Sequence, residues 1–436
     1  GVKIMDQHGH MVGKDDEHYL ENYVNNMFED TNNNSIPPYS PLIRVFNKDL
    51  EYLGEKKKTL VIGYDSRESS PKICELIVRG IMKCNENFPY FIMPLITTPE
   101  LHFNFSSINM KYSKYIQKIS QKIYYNCIVD CANGIGGKKM SELRHPSLTL
   151  LNTSWTDHEK LNVNCSSDFV CSAKKMPNSV HLYNDDEKLR ASLDGDADRV
   201  VFYYGTDEKI NILNGDYISA LIITYLSNVL QDYNEELTIG FVHTGYTNSA
   251  CLEYIQKLSF PKRVQITCTS TPTGVKYLHN EAVKYDIGVY FEQNGHGNVL
   301  FQKKIPQLEQ LSSCFHPNIG DGILDLFATL YILQELDMSP KEWYYLYKEN
   351  FSIMSKQIVQ DKEKFKCFYD EQRLSAPKKL QEDIDNICHV KDSSCRAFVR
   401  PSGTENVVRL YVEGKTEGLV QEIHEKISQI IKEQYE

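Results

Sequence analysis

TIGFVHT (238–244) begins the stretch that decides the fold, and SACLEYIQKL (249–258), RVQIT (263–267), GVKYLHNEAVKY (274–285) and DIGVYF (286–291) follow it with short connections. The first, third and fifth segments are short apolar runs, which are typical of buried strands. The second and fourth carry apolar residues at helical spacing. Successive strand–helix units predict an α/β domain with a largely parallel sheet.

The same alternation extends toward residue 60, but the character changes after residue 350, where VRPSGTENVVRLYVEG (399–414) is strand-rich and EGLVQEIHEKISQIIKEQ (417–434) is one amphipathic helix. A chain of 436 residues is too long for one core, because single cores stop growing near ~250–300 residues. We therefore predict a multidomain α/β protein with mixed sheets and a smaller C-terminal α+β domain. A lysine- and tyrosine-rich patch near 105–122 is interpreted as an irregular domain boundary.

Composition excludes several classes of function. The formal net charge is −10, and an acidic chain is a poor candidate for non-specific nucleic-acid binding. The sequence contains no run of 18 apolar residues, which is about the length needed to span a membrane. The 12 cysteines contain no Cys-x-x-Cys pair, which indicates free thiols in a reducing compartment. We expect a cytoplasmic monomer with neither nucleic-acid nor membrane partners.

An acidic loop occurs in LDGDADRVV (193–201), where Asp194, Asp196 and Asp198 alternate with small residues. Side chains at i, i+2 and i+4 of an extended backbone share one face, so the three carboxylates converge. Converging carboxylates repel one another, and an all-oxygen set suits Mg²⁺ better than zinc. Two alternatives stay open: a solvated acidic turn, or neutralisation by arginines such as Arg199. A phosphatase of the haloacid dehalogenase type fits less well, because the motif lies mid-chain.

A second loop, RPSGTENVVR (400–409), combines two arginines with hydroxyl side chains and a glycine. Arginine offers a planar fork for phosphate, and glycine lets backbone N–H groups approach an anion. The alternation of the strand after the loop places Arg409 on the face opposite Val408 and Leu410. We predict a phosphate-binding loop rather than an ordinary turn. The candidate ligand-binding residues are Arg400, Pro401, Ser402, Gly403, Thr404 and Arg409.

A third loop follows the strand DIGVYF and contains Glu292, Gln293 and Asn294. Ligands of α/β sheets bind beyond the carboxyl ends of strands, and carboxylate and amide groups pair with vicinal sugar hydroxyls. The alternative is a glycine-rich connection with incidental polar residues. His296 is the one histidine considered for a base role, and Thr273, Gly274 and Lys276 could form a second anion site or a plain helix cap.

Seven motifs in this order carry a family resemblance: GYDSRESS (63–70), ITTPELHF (96–103), CANGIGG (131–137), LDGDADRVV (193–201), TPTGVKYLH (271–279), DIGVYFEQNGHG (286–297) and FVRPSGTENVVRLYVEG (398–414). Together they resemble the phosphoacetylglucosamine mutases of the α-D-phosphohexomutase superfamily. The resemblance implies three related α/β domains and a smaller fourth domain, with boundaries at 1–120, 121–237, 238–350 and 351–436.

That resemblance also implies a reaction and roles for residues. The family interconverts N-acetylglucosamine 6-phosphate and 1-phosphate through a phosphoserine and a bisphosphate, on the route to UDP-N-acetylglucosamine. Asp194, Asp196 and Asp198 match its Mg²⁺ ligands. Residues 292–294 match its sugar loop, although Gln293 stands where alanine is usual, and residues 400–404 with Arg409 match its phosphate site. Asp65 and Arg67 match an Asp-x-Arg near the active centre, and Arg67 and Arg199 are expected to support catalysis.

One family motif is missing from the printed sequence. The nucleophilic serine lies in a Thr-Ala-Ser-His-Asn-Pro loop that precedes a Gly-Val-Lys like the one at Gly1, and no such loop occurs here. The chain as printed is therefore expected not to turn over. It is interpreted either as a truncated mutase or as a non-catalytic sugar-phosphate-binding relative, and a phosphoglucomutase or phosphomannomutase is the alternative within the enzyme class.

Overall fold

The protein is represented by a computed structural model, and the residues that it describes are 2–5, 60–84, 90–101, 112–180, 185–206, 208–317, 319–391, 395–403 and 405–436. They form two compact units. The first comprises Gly1–Ile212 and Asn318–Leu330, and the second comprises Leu213–Pro317 and Tyr331–Glu436.

The described strands, in chain order, are β1 (Val2–Met5), β2 (Leu60–Tyr64), β3 (Tyr90–Pro94), β4 (Cys127–Asp130), β5 (Leu148–Leu151), β6 (Arg190–Leu193), β7 (Val200–Gly205), β8 (Ile210–Leu213), β9 (Leu237–Thr244), β10 (Val264–Thr271), β11 (Ile287–Phe291), β12 (Gly297–Phe301), β13 (Phe351–Ile358), β14 (Lys366–Cys367), β15 (Leu374–Ala376), β16 (Arg396–Pro401) and β17 (Val407–Gly414). The described α-helices are α1 (Ser70–Cys84), α2 (Tyr112–Ser120), α3 (Ile135–Leu143), α4 (Ser167–Ala173), α5 (Gly215–Val229), α6 (Ser249–Lys257), α7 (Val275–Ala282), α8 (Glu309–Ser312), α9 (Gly322–Glu335), α10 (Pro340–Tyr344), α11 (Lys378–Lys391) and α12 (Glu417–Tyr435).

The described residues of the first unit form two sheets. One has the order β1-β2-β3, and the other has the order β5-β4-β6-β7-β8. In the larger sheet β4 pairs in parallel with β5 and β6, whereas β6 and β7 are antiparallel. Both β4 and β7 are buried along their whole length, which matches their largely apolar sequences. The acidic loop connects the antiparallel pair β6 and β7.

The prediction of an irregular patch near 105–122 was wrong for its described part. Residues 112–120 form the helix α2, which buries Tyr112, Ile116 and Ile119. These residues recur at helical spacing, and the tyrosine hydroxyl donates to Asp321 Oδ2 at 2.7 Å. The apolar face was obscured by the intervening lysines, which stay exposed.

The second unit contains the stretch with which the sequence analysis began. Its four-stranded sheet has the order β10-β9-β11-β12, with β9 parallel to β10 and β11, and β12 antiparallel to β11. Helix α5 is buried along nearly its whole length, and Asn214 caps it by accepting from the backbone N–H groups of Asp216 and Tyr217. Trp343 of α10 is fully buried and donates its indole N–H to Tyr217 O at 2.9 Å.

The C-terminal part of this unit is an antiparallel sheet of order β13-β17-β16, together with α11 and α12. Val408, Leu410 and Val412 of β17 lie in one core with Ile423 and Ile427 of α12. The alternation predicted for β17 is therefore confirmed, with Arg409 on the other face.

Glu413 at the end of β17 is a buried charge with many partners. It accepts from Arg396 Nη2 at 2.7 Å, from Ser249 N at 3.0 Å and from Asn350 Nδ2 at 3.1 Å. Burial alone would raise the pKa of Glu413, but Arg396 and the hydrogen bonds hold that pKa below its usual value. The guanidinium of Arg396 also donates to Gly245 O at 2.9 Å and to Thr247 O. The C-terminal sheet is thus joined to the loop between β9 and α6.

The predicted fold class, mixed α/β sheets with a C-terminal α+β part, is confirmed. The four domain ranges stay a prediction. Among the described residues, no helix is both long and apolar enough to cross a membrane. The eleven cysteines whose side chains the structure describes are free thiols.

Candidate active site

The acidic loop brings its three aspartates together inside the first unit. Asp194, Asp196 and Asp198 are 8%, 6% and 4% exposed. Each offers a carboxylate oxygen, and these oxygens all lie within 4.8 Å of one another. The solvated acidic turn left open by the sequence does not describe this geometry, because the carboxylates are buried.

Backbone geometry fixes the shape of this loop. Ala197 has a φ of 59°, and the Asp194 carboxylate accepts from the backbone N–H of Asp198 at 3.1 Å. The loop also lies against the start of α3, where Ile135 N donates to Gly195 O at 3.1 Å. A Cβ on Gly134 would lie 2.3 Å from that same oxygen, so glycine is required at this position of the CANGIGG motif.

The electrostatics of the loop are those of an under-neutralised anion cluster. Burial and the neighbouring charges of Asp198 and Asp196 raise the pKa of Asp194 well above its usual value. Arg199 Nε lies 3.8 Å from both Asp194 Oδ2 and Asp198 Oδ1, beyond hydrogen-bonding distance. Its closer contact is with Asp168, at 2.9 Å from Nη1. Arg199 therefore offsets only part of the charge of the three carboxylates.

Asp196 has two further neighbours from other elements. Thr98 Oγ1 donates to Asp196 Oδ2 at 2.7 Å, and Arg67 Nη2 lies 3.6 Å from Asp196 Oδ1. Arg67 is held in turn by Asp65, whose carboxylate also accepts from Ser70 Oγ at 2.8 Å. The Asp-x-Arg pair thus lies beside the acidic loop. The motif ITTPELHF contained Thr98, but its side-chain contact with Asp196 had no local sequence signal.

This donor set fits a divalent cation. Three buried carboxylates face two arginines, one of which is shared with Asp168, so negative charge is in excess. Hard oxygen donors from a short loop, with one side chain oriented by Thr98, are the ligand chemistry that Mg²⁺ prefers.

A row of three cations crosses the C-terminal sheet of the second unit. Arg400 of β16 is the register partner of Arg409 of β17, and Arg409 is the register partner of Lys356 of β13. Like charges directly opposite each other on a sheet destabilise it. Lys356 is paired with Glu405 at 2.7 Å. The Nε–H groups of both arginines are buried and have no hydrogen-bond partner in the part of the chain that the structure describes.

Arg400 has two neighbours that the sequence did not predict. Its Nη1 donates to Glu371 Oε2, and that same oxygen accepts from Thr273 N at 3.0 Å. Its guanidinium also lies over the Tyr246 ring, 5.7 Å from the centroid. Glu371 and Tyr246 come from loops far away in sequence, and neither belongs to a motif that indicated a phosphate site.

The other described residues of the phosphate loop, Pro401, Ser402 and Gly403, lie where β16 ends and the connection to β17 begins. Ser402 N donates to Val407 O at 2.9 Å, and Lys362 Nζ donates to Ser402 O at 2.9 Å. Pro401 ends β16, and no atom lies within 4 Å of a Cβ built on Gly403. Thr404 lies outside the described residues.

The candidate sugar loop is the turn between β11 and β12. Glu292 N donates to His296 O at 2.8 Å, and Gly295 supplies a φ of 83°. Asn294 Oδ1 accepts from His296 N at 3.1 Å. Gln293 Nε2 donates to Tyr246 O at 2.8 Å, so the residue that departs from the family pattern binds the backbone of Tyr246.

Comparison with known proteins identifies the family. Three family models match: "Phosphoacetylglucosamine mutase AMG1, domain III" over 214–338, "Phosphoglucomutase/phosphomannomutase, C-terminal domain" over 356–430, and "Phosphoglucomutase/phosphomannomutase, alpha/beta/alpha domain I" over 42–123. The phosphoacetylglucosamine mutase of Candida albicans is 33% identical, over 99% of this chain and 87% of that protein. The chain belongs to the phosphoacetylglucosamine mutase family.

Solved structures of phosphoacetylglucosamine mutases agree. A crystal structure of N-acetylglucosamine-phosphate mutase in the substrate complex has a TM-score of 0.83 and 31% identity, covering 98% of this chain and 86% of that one. The Aspergillus fumigatus N-acetylphosphoglucosamine mutase, in complex with GlcNAc-6P and magnesium, has a TM-score of 0.78 and 26% identity, covering 99% and 91%.

Proposed function

We propose that this protein interconverts N-acetylglucosamine 6-phosphate and N-acetylglucosamine 1-phosphate, on the route to UDP-N-acetylglucosamine. Membership of the phosphoacetylglucosamine mutase family supports this reaction. The chemistry of the described residues supports it independently, because a mutase of this kind needs both a place for phosphoryl transfer and a second place to hold the phosphate that is not transferred.

One observation carries the proposal: Arg400 and Arg409 face each other across β16 and β17, each with a buried Nε–H that finds no acceptor among the residues that the structure describes. Two opposed guanidinium groups are unfavourable unless anions lie between or beside them, and the Glu371 carboxylate supplies one such charge through Arg400 Nη1. The two Nε–H groups remain for a further anion. A phosphate monoester carries enough negative charge and enough acceptor oxygens to satisfy both. These residues, with Ser402 and the loop to Thr404, are the proposed site for the phosphate that is not transferred.

The acidic loop is the proposed Mg²⁺ site, with Asp194, Asp196 and Asp198 as ligands. When bound there, the ion would neutralise charge on the transferring phosphoryl group. Thr98 orients the Asp196 carboxylate by donating to Oδ2. Arg67 and Arg199 are proposed to offset the remaining charge, since each lies within 4 Å of a ligand carboxylate. Glu292, Gln293 and Asn294 are proposed to bind sugar hydroxyls.

The phosphoryl donor of the family reaction is a phosphoserine, and the printed residues do not contain its Thr-Ala-Ser-His-Asn-Pro loop. The test therefore begins with protein from its native source. Intact mass and peptide mapping of its N-terminal region establish whether a phosphorylated serine is present.

Turnover is then followed by ³¹P NMR with N-acetylglucosamine 6-phosphate. We expect magnesium-dependent formation of the 1-phosphate that stops when the ion is chelated. Absence of conversion by protein that carries the phosphoserine would overturn the proposal. A clear preference for glucose or mannose phosphate would overturn the assignment of the N-acetyl sugar.

The cellular context completes the proposal. We propose a cytoplasmic monomer whose partner is the small-molecule hexosamine phosphate. The free cysteines support a reducing compartment.

A further inference from the structure

Tyr246 lies between two of the loops proposed to bind substrate. It belongs to the connection between β9 and α6, and it is only 9% exposed. Its backbone carbonyl accepts from Gln293 of the sugar loop at 2.8 Å. Its ring faces the Arg400 guanidinium of the phosphate loop.

Within the described part of the chain, the Tyr246 hydroxyl has no acceptor for its proton. It is buried and makes no hydrogen bond of good geometry within the described residues. The charges of Arg400 and Arg409 act on it, partly opposing the rise in its pKa that burial causes. A guanidinium has donors only, so neither arginine can take the hydroxyl proton. A buried hydroxyl without an acceptor is costly in a folded protein.

Three donors for which the described residues supply no acceptor therefore occur in one neighbourhood: the Tyr246 O–H, the Arg400 Nε–H and the Arg409 Nε–H. Their combined chemistry is that of an incomplete anion site, because one ligand with several acceptor oxygens would satisfy all three.

The position of Tyr246 is fixed from several sides. Its ring packs against Phe398 at 5.3 Å and Tyr411 at 5.6 Å between centroids. On either side in sequence, Gly245 O and Thr247 O accept from Arg396, which is itself paired with the buried Glu413. These contacts hold the ring in place, and its hydroxyl proton has no acceptor among the described residues.

We propose that Tyr246 is a substrate-contacting residue whose hydroxyl donates to the phosphate held by Arg400 and Arg409. This inference rests on the proposed function for the identity of the ligand. Tyr246 would add a neutral donor to a cationic site. Through the hydrogen bond from Gln293 to its carbonyl, it would also connect the phosphate site to the sugar loop.

The test is Tyr246→Phe in the full chain, with binding of N-acetylglucosamine 6-phosphate and of unphosphorylated N-acetylglucosamine measured by titration calorimetry. We expect the Kd of the phosphate ester to rise about tenfold, which corresponds to about 1.4 kcal/mol, with little change for the free sugar. The melting temperature without ligand should stay the same or rise, because the variant removes a buried hydroxyl that lacks an acceptor.

Tyr254→Phe is the matched control, since Tyr254 lies on the adjoining helix α6 and its hydroxyl is paired with Thr224 Oγ1 at 2.8 Å. It should lower the melting temperature and leave the Kd unchanged. Equal affinity of Tyr246→Phe and wild type for the phosphate ester would overturn the inference, as would a loss of affinity in proportion to a loss of stability.

Failure of the proposed function gives a different result. If the wild type binds glucose 6-phosphate but not the N-acetyl ester, the substrate assignment is wrong. The Kd of Tyr246→Phe for glucose 6-phosphate, compared with the Kd of the wild type, then still decides the role of Tyr246. If the wild type binds neither sugar phosphate nor inorganic phosphate, both proposals are overturned.

Discussion

Gly215 and Glu292 are in backbone contact: a Cβ built on Gly215 would lie 1.9 Å from the carbonyl oxygen of Glu292. Gly215 is the first residue of α5, and its N–H donates to Gln293 O at 3.4 Å. The start of a buried helix thus supports the loop that we propose to bind the sugar. No side chain larger than hydrogen fits between them.

Gly215→Ala should therefore displace the sugar loop. We expect a loss of about 1–3 kcal/mol in the free energy of unfolding, as for other overpacked sites, and weaker binding of N-acetylglucosamine 6-phosphate. Gly418→Ala is the control, because Gly418 lies in α12 with no atom within 4 Å of a new Cβ. It should be neutral or stabilise by about 0.5–1 kcal/mol. Identical effects of the two substitutions would contradict the argument.

Asp196→Asn should weaken magnesium binding at least tenfold, a rough figure for damage to a metal site. The change removes one ligand charge while keeping the shape that Thr98 Oγ1 contacts. Titration calorimetry with Mg²⁺ alone measures the effect without requiring turnover. Asp157→Asn is the matched control in the same unit, since Asp157 is partly exposed and its carboxylate pairs with the neighbouring Lys160 at 2.7 Å. Unchanged Mg²⁺ affinity in Asp196→Asn would remove the metal assignment.

Arg409→Gln should separate stability from ligand binding. Removing one charge from the row Lys356–Arg409–Arg400 relieves repulsion, so the unliganded protein should be no less stable than wild type in urea unfolding. The Kd for N-acetylglucosamine 6-phosphate should rise by more than about tenfold, because a charge-assisted hydrogen bond is lost. A variant that binds the phosphate ester normally would show that the anion is held elsewhere.

Asp216 predicts a specific pH dependence of stability. Burial raises its pKa to about 6, against the hydrogen bonds from Asn248, Gln293 and Thr247 that lower it. The folded state then holds this proton more tightly than the unfolded chain does. Its stabilising contribution is complete below the unfolded pKa near ~3.9 and is lost as pH rises through 6.

Asp216→Asn cannot titrate, so its stability relative to wild type should increase by about 1.4 kcal/mol between pH 5 and pH 7.5. Urea unfolding at several pH values measures this difference. Parallel pH profiles for the two proteins would show that Asp216 does not keep its proton in the folded state.

Much of the fold was predictable because its signals are local. The strand–helix alternation of 238–291 corresponds to β9, α6, β10, α7 and β11, and the period-two pattern of β17 placed Arg409 opposite the core. The acidic loop was predictable for the same reason, since three aspartates within five residues can converge with little help from the rest of the chain.

The missed residues all act across long sequence separations. Thr98 and Asp196 are 98 positions apart, and Arg400 and Glu371 are 29 apart. No spacing rule connects such pairs, because their contacts depend on how sheets and loops pack. The sequence around Tyr246 does not indicate a binding role, because its contacts with Arg400 and Gln293 appear only in the folded protein. Helix α2 was missed for a different reason, since its lysines hid a short apolar stripe.

The Arg396–Glu413 pair has a consequence for how the protein is made. The donor to the Gly245 carbonyl, Arg396, lies 151 positions downstream, and the acceptor for the Ser249 N–H, Glu413, lies 164 positions downstream. Because chains emerge from the ribosome in order, at roughly 5–20 residues per second, the loop that carries Tyr246 is synthesised well before anything can hold it. A chain that ends prematurely after α10 would keep the acidic loop. It would lack Arg400 and Arg409, and also the Arg396–Glu413 pair that bonds the backbone beside Tyr246. Translation of β16 and β17 is therefore the step at which a nascent chain acquires Arg400 and Arg409, the arginines of the proposed phosphate site.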